Sequence, residues 1–246
     1  MGNTELNKSF MIETVRNDVS KYLEYYRAVY SKYLSVDIPE FKLKYKLREL
    51  KPVVKVIDEI NAVSLSELKS IVSECRKCGL YTTRKNIVFG SGSAKEKLVI
   101  IGEAPGADED ESGEPFVGRA GQLLTKMLSA IGIERENVFI CNVLKCRPPN
   151  NRDPLPDEIA KCSGYLDKQL ELLKPKYILA LGRIAALRLL NKDSTMKELR
   201  EDIHNYKGIP VVVTYHPSAL LRNPNWKYPA WDDLKKLKEL LDKANE

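Results

Sequence analysis

No apolar run in this sequence of 246 residues approaches the length of a membrane span, and its N-terminus has no signal-peptide pattern. A helical membrane span is thereby excluded, and the expected location is cytoplasmic. There is no internal repeat and no low-complexity tract. Histidine is scarce: His204 and His216 are the only two, which leaves few candidates for imidazole chemistry. The five cysteines make an odd count in a chain without a secretory signal, which argues against a disulfide framework. Charge of one sign is not strongly in excess either: the formal net charge of +6 favours polyanions only weakly. What remains is the composition of an ordinary globular protein with enough apolar residues for a sizeable core. The length allows one α/β domain with an extension, or two small domains.

The most distinctive stretch runs from Gly102 to Gly121 and is rich in glycine and acid. Before it, Leu98–Ile101 is a short apolar, β-branched run that reads as a buried strand. After it, Leu123, Leu124, Met127, Leu128 and Ile131 have helical spacing. A loop between such elements lies at the carboxyl end of a strand, where α/β folds bind ligands. Loops this long are more often functional than filler. This one lacks the Gly-Lys-Ser/Thr ending of a P-loop and the spacing of a dinucleotide fingerprint. Its carboxylates between Glu103 and Glu111 would repel a bare phosphate, so it suits an uncharged group or a developing positive charge.

Residues 1–68 differ in texture. A charged helical pattern from Thr4 to Leu34 carries Tyr22, Tyr25, Tyr26, Tyr30 and Tyr33, mostly on one stripe. Pro52 suits the first turn of a helix over Val53–Ile60, and Ser64-x-x-Glu67 is a capping box that opens a helix toward Cys75. These patterns predict an N-terminal helical extension, whose stripe either packs on the main domain or docks a partner or DNA. From residue 86 onward, strands at Leu98–Ile101, Val138–Val143, Tyr177–Leu181 and Val211–Thr214 alternate with helices. The helices are at Gly121–Ile131, Asp157–Leu173, Arg183–Leu190 and Trp231–Ala244. The alternation predicts an α/β domain over residues 69–246, a three-layer αβα sandwich around a mostly parallel four-stranded sheet. The loops Gly102–Gly121, Asn142–Pro156 and Tyr215–Asn225 all follow strands, so they converge on one sheet edge and can share a cleft.

Cys75-x-x-Cys78 lets one tight turn present two sulfurs to one centre, and Cys146 and Cys162 form a wider pair downstream. Thiolates are soft ligands, and four of them suit either a cubane iron–sulfur cluster or a tetrahedral zinc. Spacing does not separate the two. Cys141 sits in a strand pattern and reads as a small buried hydrophobe.

The residues Gly102-Glu103-Ala104-Pro105-Gly106 and Gly113 to Leu124 resemble the family 4 uracil-DNA glycosylases. Asn142 to Pro149 is similar to the family's second segment, and His216 to Arg222 to its third. The resemblance covers roughly residues 72 to 240 and says nothing of the extension. It implies a uracil-DNA glycosylase-like fold and a [4Fe-4S] cluster on Cys75, Cys78, Cys146 and Cys162. It also implies a monomer that hydrolyses the N-glycosidic bond of uracil-containing DNA.

That chemistry asks for a flipped nucleotide and a pocket that does three things. To recognise uracil, Phe116 offers a stacking face. The Asn142 amide offers one donor and one acceptor to the base edge, and Glu109 or the adjoining backbone would bar the thymine methyl. Glu103 and Ala104 complete the expected uracil site. To stabilise the leaving anion, His216 resembles the family's donor to O2. To stabilise the sugar cation, Glu103 is the nearest carboxylate. The water-activating Asp of the better-known family 1 enzymes occupies the position that is Ala104 here, so no general base follows from the alignment. Leu220 and Leu221 are candidate wedges in the base stack, and Arg119, Arg147, Arg152 and Arg222 are candidate phosphate contacts. Two rivals fit parts of the pattern: a non-catalytic DNA-binding module held by a metal cluster, and a glycosylase of broader range against deaminated bases.

Overall fold

The computed structural model describes residues 60–192 and 194–243. The helical reading on Thr4–Leu34, with its tyrosine stripe, lies outside these residues, as does all but the last residue of the reading on Val53–Ile60. Helix α1 (Leu65–Ser73) starts where the capping pattern placed it. Ser64 Oγ accepts the Glu67 N–H at 3.2 Å, and the Glu67 carboxylate accepts the Val63 N–H at 2.8 Å. Its buried face, Leu68 and Val72, packs against α4 (Pro156–Leu173). The boundary expected between residues 68 and 69 therefore falls inside a helix, and the compact unit begins at Ala62.

Strands β1 (Leu98–Gly102), β2 (Phe139–Asn142), β3 (Tyr177–Leu181) and β5 (Ile209–Thr214) are parallel. The described sheet has five strands, in the order β2-β1-β3-β5-β4, and not the expected four. The extra strand, β4 (His204–Tyr206), is an antiparallel edge. It is too short and polar to show alternation. What creates it is the turn at Lys207 (φ 49°) and Gly208 (φ 89°), the left-handed pair that matches hairpin twist.

Leu98, Ile100, Ile140, Leu179 and Val212 form one face of the sheet. That face is covered by Leu124 and Leu128 of α3 (Arg119–Ser129), Leu220 of α7 (Pro217–Arg222), and Leu234 and Leu237 of α8 (Lys227–Asp242). Alternate residues point to the other face, where α5 (Arg183–Leu190) packs on β1 and β3. The three-layer expectation holds. A last short helix, α6 (Met196–Glu201), precedes β4. The chain leaves β1 toward β2 and leaves β3 toward β5, so the sheet has its switch point at the carboxyl ends of β1 and β3, where such folds open a crevice.

Candidate active site and cysteine cavity

The stretch after β1 is not irregular throughout, because Ala107–Ser112 forms a short helix, α2. Glu109 of α2 welds the loop together. Its Oε1 accepts the N–H groups of Val117 (2.9 Å) and Gly118 (3.0 Å), and its Oε2 accepts that of Gly106 (3.1 Å). A carboxylate so engaged fixes the backbone of the loop. Arg135 adds a bond from Nη2 to the Pro115 carbonyl at 2.6 Å. Between these ties, Phe116 takes a left-handed backbone, φ 53°, a strained state for an aromatic residue that persists only when its surroundings impose it. Gly121 is the space that allows it, since a Cβ there would lie 1.7 Å from the Phe116 carbonyl oxygen.

The effect is to lay the Phe116 ring over the end of β1. A Cβ on Gly102 would meet Phe116 Cζ at 2.6 Å and Asn142 Oδ1 at 2.4 Å, so the floor under both side chains must be glycine. Asn142 ends β2 and is 1% exposed. Its Oδ1 is buried with no hydrogen-bond partner. The His216 ring stands 5.5 Å from that of Phe116, tilted by 33°. His216 follows β5 as the N-cap of α7, and its Nδ1 accepts the Ser218 N–H at 3.2 Å, with Ser218 Oγ 2.8 Å away. An acceptor at Nδ1 leaves the proton on Nε2. Burial, reinforced by Arg222, lowers the His216 pKa to about 4, so the ring is neutral at pH 7. The other histidine is structural: His204 Nε2 lies 2.8 Å from the Leu199 carbonyl.

Glu103 follows Gly102 directly. Burial raises its pKa to about 7, Asp153 adds to the rise, and Arg222 opposes it. Glu103, Arg222 and His216 thus share one electrostatic environment. Ala104 is partly buried beside Glu103. Tyr215 stacks on Trp226 at 4.8 Å and carries the Arg200 guanidinium 4.4 Å from its ring, which braces the strand end that presents His216.

The nucleic-acid candidates divide. Leu221 and Arg222 are exposed, whereas Leu220 is 1% exposed within the core, so Leu220 is corrected from wedge to packing residue. Arg119 is exposed at the start of α3. Arg147 donates through Nε to Asn151 Oδ1 at 2.7 Å. Arg152 is also corrected: both its Nη atoms bond the Glu158 carboxylate, at 2.9 and 2.6 Å, which anchors the loop leading to α4.

Cys75, Cys78, Cys146 and Cys162 line one mostly apolar cavity, with Val72, Ile87 and Tyr165 among its walls. All five cysteines are free, and Cys141 is buried on β2, away from this lining. Burial pushes the Cys78 and Cys146 thiols up and Cys162 up to about 12, while Arg84 opposes the rise at Cys146, with Nη1 3.3 Å from its sulfur. Among the described residues no three Cys, His, Asp or Glu side chains converge as ligands of a single metal ion. Buried Asp110 accepts the Lys85 N–H at 3.0 Å, and Asn86 donates to the Asp110 and Glu111 carbonyls, both at 2.9 Å. These bonds tie the segment after Cys78 to the loop after β1.

Residues 89–235 match the Uracil DNA glycosylase superfamily. A Type-4 uracil-DNA glycosylase of Archaeoglobus fulgidus is 46% identical over 188 residues, which are 73% of this chain and 94% of that protein. That of Sulfurisphaera tokodaii is 46% identical over 186 residues, 72% of this chain and 84% of its own length. That of Thermotoga maritima is 44% identical over 185 residues, 72% and 96% of the two chains. The chain belongs to the uracil DNA glycosylase superfamily and, within it, to the type-4 family. Among the described residues no helix is long and apolar enough to cross a membrane.

Proposed function

We propose that this chain is a uracil-DNA glycosylase that hydrolyses the N-glycosidic bond of uracil in DNA and leaves an abasic site for repair. The observation that carries the reading is the buried, unpartnered Oδ1 of Asn142 beside the Phe116 and His216 rings. A buried acceptor left unmet costs about 1–3 kcal/mol. Uracil N3–H is a donor that meets it, while the amide NH2 of Asn142 donates to O4. Cytosine has an acceptor at N3 and a donor at position 4, so it reverses both and leaves them unpaired. Exclusion of thymine falls to Glu109 or to the loop backbone that it fixes.

The nucleotide is flipped from the stack at a cost of about a few kcal/mol, and the base lies on the Phe116 ring. Leu221, exposed beside the His216 turn, enters the gap, and Arg222, Arg119 and Arg147 contact phosphates. As the glycosidic bond breaks, both electrons leave with uracil, and charge gathers on O2. The Nε2–H of neutral His216, oriented by the Ser218 bond to Nδ1, donates to O2. Ionised Glu103 stabilises the oxocarbenium-like sugar, which water then captures at C1′, its proton passing to solvent. Ala104 brings no carboxylate to this step, so most of the acceleration comes from the leaving-group contact and electrostatics.

The donor set of the cysteine cavity suits a [4Fe-4S] cluster held by Cys75, Cys78, Cys146 and Cys162. The four thiols surround a cavity with apolar walls, and Arg84 offsets thiolate charge. When bound, the cluster would supply a covalent brace joining the turn after α1, the loop after β2 and α4; the hydrolysis itself needs no electron transfer. The test is incubation with an oligonucleotide carrying one uracil, followed by alkali, which breaks strands at abasic sites. A break at uracil and none at a matched cytosine is expected. Tight binding with no break would support a binding module instead.

A further inference from the structure

Lys145 lies three residues from the base-reading amide and next to a candidate cluster ligand, yet neither role uses its side chain. It is 1% exposed, one of the largest fully buried side chains in the protein. Its Nζ donates to the Asn142 carbonyl at 2.7 Å and to Gln169 Oε1 at 2.6 Å. Gln169 is fully buried too and passes the chain on, donating from Nε2 to the Phe89 carbonyl at 2.8 Å. The backbone of Lys145 is engaged as well: its carbonyl accepts the Val88 N–H at 2.8 Å. Lys145 is also among the residues that line the cysteine cavity.

Both acceptors of the ammonium are neutral. Among the described residues no carboxylate lies within ion-pair distance of it. A buried charge without an opposite charge is among the most costly arrangements in a protein interior. The other basic groups at the cavity differ. Lys161 pairs with Asp157 at 2.8 Å and is exposed, and Lys77 is exposed beside the Tyr165 ring. Arg84 is only partly buried. Among the described residues, buried Glu158 near Cys78 is already paired with Arg152, which leaves the cysteine sulfurs, once they ligate as thiolates, to face the Lys145 charge.

We propose that Lys145 is the internal counter-ion of the thiolate-ligated cluster, and that its bond to the Asn142 carbonyl couples the cluster to the strand end that reads the base. The inference rests on the cluster assignment above. It makes Lys145 a positioning residue: its charge holds the cluster, and the held cluster fixes the register of Asn142.

The experiment uses the full chain purified with its iron. Iron release to an excess of bathophenanthroline is followed by the loss of visible absorbance, in wild type, Lys145→Met and Gln169→Leu. Lys145→Met keeps the length and removes the charge. Gln169→Leu keeps the charge and removes an acceptor. Release from Lys145→Met is expected to be at least about tenfold faster than from wild type, well under the full cost of leaving a buried charge unpaired. In its iron-loaded fraction, KM for uracil-DNA should rise more than kcat falls. Release from Gln169→Leu is expected to match wild type, whereas a packing role for this network would loosen both variants alike. Wild-type release from Lys145→Met, or fast release from Gln169→Leu, would overturn the proposal. If Lys145→Met does not fold, the Gln169→Leu arm decides alone. A colourless wild-type protein without iron would instead sink the cluster assignment before any variant is compared.

Discussion

Replacing His216 by alanine separates chemistry from binding. The Ser218 N–H bond to Nδ1 and the lowered pKa of the ring fix a neutral imidazole whose only donor is Nε2–H. That donor acts mainly where charge has developed on O2, in the transition state, and only weakly on ground-state uracil. One preorganised donor of this kind is worth about 2.7–4 kcal/mol, or roughly 100- to 1000-fold in rate. Truncation also removes a ring neighbour of Phe116 at 5.5 Å, a packing loss that reaches binding and chemistry equally. His216→Ala is therefore expected to bind uracil-DNA within a few-fold of wild type and to release base about 100-fold or more slowly. The assay is single-turnover base release with enzyme in excess, because slow release of abasic product otherwise masks the chemical step. An unchanged single-turnover rate would refute the assignment of the O2 donor, and a loss confined to affinity would make His216 a binding residue.

With a Glu103 pKa of about 7, the ionised fraction rises from about one-tenth at pH 6 to about nine-tenths at pH 8. Wild-type single-turnover rates should climb through this window, with a midpoint at or above 7 once DNA phosphates are nearby, and Glu103→Gln should be slower with a flat profile. The same shift predicts a stability effect. A carboxyl raised from its ordinary 4.5 contributes stability that is present below about pH 4.5 and lost as pH rises through 7. Glu103→Gln should therefore raise Tm at pH 8 and leave it unchanged near pH 4.5. Gly102→Ala puts a Cβ 2.4 Å from Asn142 Oδ1 and should cut base release by about 100-fold, as displacements near 1 Å do; wild-type kinetics would mean that the floor of the site lies elsewhere. Leu220→Ala should cost about 2–5 kcal/mol in denaturant unfolding, whereas exposed Leu221→Ala should cost less than about 0.5 kcal/mol yet slow excision from duplex more than from single strands.

The parallel strands were legible because both their faces are buried, which writes continuous apolar runs such as Leu98–Ile101 and Tyr177–Leu181. For helix α4 the reading Asp157–Leu173 misses only Pro156, its first residue. The site motifs were legible as local strings. Other features depend on contacts distant in sequence. Leu220 and Leu221 are identical in type and adjacent, and only the packing of α7 on α3 decides which is buried. Arg152 read as a phosphate ligand until Glu158 was brought to face it. The left-handed Phe116 backbone is imposed by Glu109, Arg135 and Gly121 together. β4 exists only because the Lys207–Gly208 turn folds a polar segment back on β5. Lys145 lies within the Asn142 to Pro149 motif, but nothing local distinguishes a buried lysine from an exposed one.

The central claim is that the Asn142 amide reads the base edge. The direct measurement is the ratio of single-turnover release rates for uracil and cytosine, at one pH, in wild type and Asn142→Asp. An ionised aspartate cannot donate to O4, and a protonated one accepts the cytosine amino group on its carbonyl oxygen. The account predicts slower uracil release and a ratio that falls by at least about fivefold, the lower end of the cost of one unpaired buried group at that edge. A ratio equal to that of wild type, with uracil kinetics unchanged, would contradict it.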